Sequence, residues 1–97
     1  MKTSQFCLRA VRERQGGAET IERFYPCDGA ERAAEDLRDY VIDGWEVELE
    51  RVECEERRGL IFAGGRSDLD AGYVEFPSIR EVSDYRCQPS GACAAVT

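Results

Sequence analysis

The sequence predicts an α+β domain, an antiparallel sheet in ββαββ order with one long helix packed on one face and a short C-terminal helix. Three observations lead there. Apolar residues between positions 30 and 41 recur at helical spacing. The segments on either side switch to period-two alternation or to β-forming residues. Glycines and a proline punctuate those segments at hairpin length. Ninety-seven residues make one domain, with 1–86 as its body and 87–97 as a loose tail punctuated by Gly, Ser and Pro.

From Gln5 to Glu13, Phe6, Leu8 and Ala10 alternate with Cys7, Arg9 and Val11, which reads as a strand. Gln15-Gly16-Gly17-Ala18 is a glycine turn, and a second strand follows from about Glu19 to Tyr25, ended by Pro26. The register of this hairpin is open at this point. Asp28-Gly29-Ala30-Glu31 then reads as an N-cap followed by a capping-box glutamate. Ala30, Ala33, Ala34, Leu37, Tyr40 and Val41 form one apolar stripe, and Gly44 stands where a C-cap glycine belongs. A helix over about 29–43 is expected.

Trp45, Val47 and Leu49 alternate with Glu46, Glu48 and Glu50, giving a third strand to about Cys54 with Trp45 in the core. A turn at 55–59 leads to a short buried strand, Leu60-Ile61-Phe62-Ala63. Residues 64–72 read as a polar loop and Tyr73 to Phe76 as a last edge strand. Ser78-Ile79-Arg80-Glu81 repeats the capping-box pattern and starts a short helix to about Tyr85.

Twenty acidic residues stand against thirteen basic ones, twelve of them arginine, for a net charge of −7. That balance argues against direct binding of nucleic acid and against an anionic membrane surface. The start of the chain lacks the apolar run of a signal peptide, and no stretch approaches the length of a membrane span. A cytoplasmic protein is expected. The five cysteines, Cys7, Cys27, Cys54, Cys87 and Cys93, are odd in number and lack C-x-x-C pairs. They read as reduced thiols rather than as a disulfide framework or a zinc site. A Cys87–Cys93 link fits the spacing but not a reducing compartment.

Histidine is absent from the sequence. Its absence removes Ser-His-Asp and Cys-His catalysis and the usual base near neutral pH. The carboxylates fall on faces that read as exposed, whereas a pair tuned for acid–base work needs burial. Gly16-Gly17 and Gly64-Gly65 match no phosphate-binding motif. A non-enzymatic protein with no cofactor and no metal is the expectation.

Charge distribution is the informative feature. Between Asp28 and Glu56 twelve acids face three arginines, a net of −9, whereas the rest of the chain is slightly basic. Glu46, Glu48 and Glu50 would lie about 6.6 Å apart on one strand face. Glu31, Glu35 and Asp39 fall on the helix. One reading is a solvated face that charge keeps soluble and guards from edge pairing. The other is a surface that imitates a line of phosphates and fills a basic groove in a partner.

A β-hairpin, the Ala-rich helix Asp28-Gly29-Ala30-Glu31-Arg32-Ala33-Ala34-Glu35, and then Trp45-Glu46-Val47-Glu48-Leu49-Glu50 resemble the small acidic anti-CRISPR proteins encoded by phages. The resemblance is one of architecture and charge over about the first two-thirds of the chain. It implies an inhibitor that offers carboxylates to the DNA-binding arginines and lysines of a CRISPR effector or another nucleic-acid-handling complex. It carries no catalytic or binding motif and assigns no residue a role. The candidate partner-binding residues, Glu46, Glu48, Glu50, Glu31, Glu35 and Asp39, come from the charge map. The alternative is a small structural or adaptor domain that oligomerises through its sheet edge, its acidic face only solvated.

Overall fold

A computed structural model describes residues 5–54 and 57–86 of the chain. Strand β1 (Gln5–Arg14) and strand β2 (Gly17–Pro26) form a hairpin around a two-residue turn, Gln15-Gly16. Gly16 takes φ 88°, a left-handed value that suits glycine because a side chain there would crowd the backbone. The register left open by sequence pairs Cys7 with Phe24, not with Cys27.

Helix α1 (Ala30–Ile42) buries Ala30, Ala33, Ala34, Leu37 and Val41, the predicted stripe apart from half-buried Tyr40. Its start differs from expectation. The N-cap is Gly29, without a side-chain cap bond, so Asp28 and Glu31 form no capping box. The Gly29 amide instead donates to the Pro26 carbonyl at 2.8 Å, a turn that leads straight from the strand-ending proline into the helix. The far end matches a Schellman stop. Gly44, at φ 98°, donates to the Val41 carbonyl, and Trp45 donates to that of Tyr40.

Strands β3 (Glu46–Cys54) and β4 (Arg57–Gly64) complete an antiparallel sheet in the order β2-β1-β3-β4. Strand β4 is longer than predicted at both ends, and its register against β3 slips at Ile61. Residues 64–72 are not all loop. Helix α2 (Arg66–Asp70) begins there, with Asp68 Oδ2 accepting from the Gly65 amide at 2.9 Å. Tyr73 to Phe76 is not a strand. Val74 and Phe76 pack against the core as irregular chain, Phe76 stacked on Phe62 with ring centroids 6.1 Å apart. Helix α3 (Ile79–Asp84) has the predicted box, Ser78 Oγ accepting from the Glu81 amide and Glu81 Oε1 from the Ser78 amide. The expected loose tail at 87–97 lies outside the described residues.

One face of the sheet meets the helices. Phe6, Leu8 and Ala10 of β1, Tyr25 of β2, Val47 and Leu49 of β3 and Phe62 of β4 close on the α1 stripe, Trp45 and Val82. Trp45 is core, as expected, at 4% exposure. The Arg12 guanidinium lies 4.4 Å over its ring, and its Nε1 donates to Asp43.

Candidate protein-docking face

Strand alternation puts the neighbours of those core residues on the other side of the sheet, and no described element packs over that side. Antiparallel register then arranges them in rows across the strands. One row runs Glu22, Arg9, Glu48 and Ala63; the next runs Phe24, Cys7, Glu50 and Leu60. A third holds Thr20, Val11 and Glu46.

The predicted acidic line therefore exists, with Glu46 and Glu48 exposed and Glu50 half-buried. Two features of it differ from the expectation. Strand β3 is interior, with β1 and β4 on its flanks, so its charges guard no edge. The line is also not bare. Arg9 reaches Glu22 at 3.1 Å and Glu48 at 4.0 Å, and Arg58 reaches Glu50 at 3.2 Å. Hydrogen bonding to Glu22 holds the Arg9 pKa above its ordinary value, so the guanidinium stays charged throughout. Five carboxylates, of Glu13, Glu22, Glu46, Glu48 and Glu50, share this face with the guanidinium groups of Arg9 and Arg58.

Apolar side chains lie among the charges. Phe24 is 58% exposed, Leu60 52% and Val11 36%. Cys7 lies between Phe24 and Glu50 and is buried all the same. Burial, with the nearby Glu22 and Glu50 carboxylates, pushes its thiol pKa up, away from nucleophilic chemistry. At the turn end of the face an open concavity of about 650 Å³ is lined by Arg9, Val11, Glu13, Glu46, Glu48 and Ala63.

The helix acids are elsewhere. Glu31, Glu35 and Asp39 are exposed at i, i+4 and i+8 on the outer side of α1, whose inner side meets the sheet. They look away from Glu46, Glu48 and Glu50 across the full thickness of the domain. Arginines interrupt them too: Arg32 pairs with Asp36 at 3.6 Å, and Arg38 lies 5.4 Å over the Phe76 ring. The structure brings the sheet trio together and the helix trio together, and it does not join the two.

Arg9, Glu22, Phe24, Val11, Leu60 and Arg58 were not picked out from the sequence. A signal existed for some of them. A two-residue turn at Gln15-Gly16 fixes β1–β2 pairing, and with it Arg9 opposite Glu22. Among the described residues no group of three His, Cys, Asp or Glu is placed to hold a metal ion. The side chain of Cys54, like Cys87 and Cys93, lies outside the described residues. Tyr25 donates to Asp36 at 2.5 Å and Arg23 to Tyr40 at 2.9 Å, ties that fasten β2 to α1. No described helix is long and apolar enough to cross a membrane. No family model, no curated protein and no solved structure matches the chain.

Proposed function

We propose that this chain is a non-enzymatic binding protein whose open sheet face docks on a basic surface of a protein partner. The observation that carries this reading is the Glu46, Glu48 and Glu50 row, set beside exposed Phe24, Leu60 and Val11 on a face no described element covers. Carboxylates give such a face its direction toward arginine and lysine, and the apolar side chains supply area that a partner removes from water. Each carboxylate has more acceptor positions than one arginine fills, so Glu48 at 4.0 Å from Arg9 retains capacity for a partner cation. In its inhibitor form, as the likeness to anti-CRISPR proteins suggests, the partner surface is one that otherwise holds nucleic-acid phosphates.

A second reading has one observation in its favour. Arg9 and Arg58 already pair with Glu48 and Glu50, as a merely solvated face would arrange them, and the chain would then be a structural or adaptor domain.

Capture from a bacterial lysate separates the two. Wild-type protein should retain a partner that high salt and added DNA release, because screening and phosphate competition both act on the same contacts. The E46Q/E48Q/E50Q variant should fold and lose that partner, at about 2 kcal/mol or more for each buried charge pair removed. Equal retention by wild type and variant, or indifference to DNA, leaves the adaptor reading.

A further inference from the structure

The two edges of the sheet are built differently. On β4 the register slips twice against β3, and the Tyr85 hydroxyl donates to the Leu60 carbonyl at 3.0 Å. Breaks and attachments of this kind blunt an edge. Strand β2 has no register break, and the ties that fasten it to α1, Arg23 to Tyr40 and Tyr25 to Asp36, are made by side chains and not by edge carbonyls. It runs ten residues in unbroken register with β1 and ends the sheet. Besides β1, its main contacts go to α1, beneath its inner face.

The turn fixes which backbone groups this edge offers. Arg14 and Gly17 close a two-residue loop, so theirs is a hydrogen-bonded pair, and alternate pairs down the ladder follow. The N–H and C=O groups of Ala18, Thr20, Glu22 and Phe24 therefore point outward, unused by β1. Pro26, without an N–H, ends the run.

We propose that β2 is a homodimerisation edge, two copies pairing β2 with β2 antiparallel about a two-fold axis at Ile21. The strand's own sequence selects this occupant and this register. With Ile21 opposite Ile21 of the second copy, Glu19 falls opposite Arg23 and Arg23 opposite Glu19. These are the non-hydrogen-bonded positions, where facing side chains come closest and opposite charges attract. Both residues are on the helix side, beside half-buried Ile21. On the open side Thr20 falls opposite Glu22, and the exposed Phe24 ring meets the small Ala18. Sliding by two residues sets Glu22 against Glu22 in one direction and Thr20 against Thr20 in the other, and either slide loses both ion pairs. This inference does not rest on the acidic docking face: the seam uses the backbone edge of β2 and shares Phe24 with that face, whereas the Glu46, Glu48 and Glu50 line is two strands away on β3.

Charge-swap mixing tests it. Sedimentation of the wild-type chain should give twice the chain mass in concentrated solution. Glu19→Arg places arginine opposite Arg23, and Arg23→Glu places glutamate opposite Glu19, so each variant alone should dimerise about tenfold more weakly or worse. An equimolar mixture restores both attractive pairs and should recover the dimer. Glu19 also braces Arg12 and Arg14, so a second measurement uses unaltered protein. Exchange at the Ala18, Thr20, Glu22 and Phe24 amides should slow as concentration rises. A chain that stays at single mass, concentration-independent exchange at those amides, or folded variants whose mixture does not recover, overturns the proposal. Single mass would leave this edge to a strand of another protein.

Discussion

Cys7 and Tyr25 are both weak acids held away from water, and their shifts have the same sign. Burial raises Cys7 above its ordinary 9.0; burial, then the Asp36 hydrogen bond, raises Tyr25 well above its ordinary 10.0. The unfolded chain gives up these protons near the ordinary values, while the folded chain keeps them. Stability from this source is complete below pH 9.0 and is lost as pH climbs through the raised folded values. The urea midpoint should fall on the alkaline side, and Cys7→Ala should move the onset of the fall upward. A midpoint that holds level or rises through the alkaline range contradicts the assignment. Leu37 makes a separate test, being 1% exposed at the centre of the α1 stripe. Leu37→Ala should cost about 2–5 kcal/mol in denaturant unfolding, and a loss below about 0.5 kcal/mol would mean that this face is not packed.

At the scale of elements, what was legible followed from local chemistry. The α1 stripe, the Gly44 stop and the Ser78–Glu81 box each depend on residues within a turn of one another, and the structure has all three. Gly44 has open space around it, so Gly44→Ala meets no clash and reads the backbone conformation alone. At φ 98° that should cost about 1–2 kcal/mol of thermal or urea stability. An unchanged midpoint would put the helix stop elsewhere. The misread elements answer to non-local forces. Val74, Glu75 and Phe76 alternate like a strand, but Phe76 is stacked on Phe62. Helix α2 is five residues long and buries none of them, so no stripe announces it. Asp28 sits one residue too early to cap, because the Pro26 carbonyl already holds the Gly29 amide.

Across the whole molecule, the charge map was legible as an amount but not as a geometry. The excess of acid between Asp28 and Glu56 could be counted in the sequence. Its division onto opposite faces, and its neutralisation by Arg9 and Arg58, depend on strand order and on contacts between distant residues. That division has a consequence for any partner. One basic groove meets the sheet trio or the helix trio, not both, because the domain's thickness separates them. The sheet trio has the apolar neighbours Phe24, Leu60 and Val11 that a buried contact needs. The helix trio is interspersed with Arg32 and Arg38 and is solvated. E46Q/E48Q/E50Q should therefore abolish capture of the partner, whereas E31Q/E35Q/D39Q should weaken it by no more than about threefold, the size expected of long-range charge alone. Both variants remove three negative charges, so a difference between them reports position and not total charge. Partner titration at two salt concentrations checks this: the sheet variant should lose the salt dependence, and the helix variant should keep it. Equal losses would mean that bulk charge governs association, and a larger loss in the helix variant would transfer the docking face to α1.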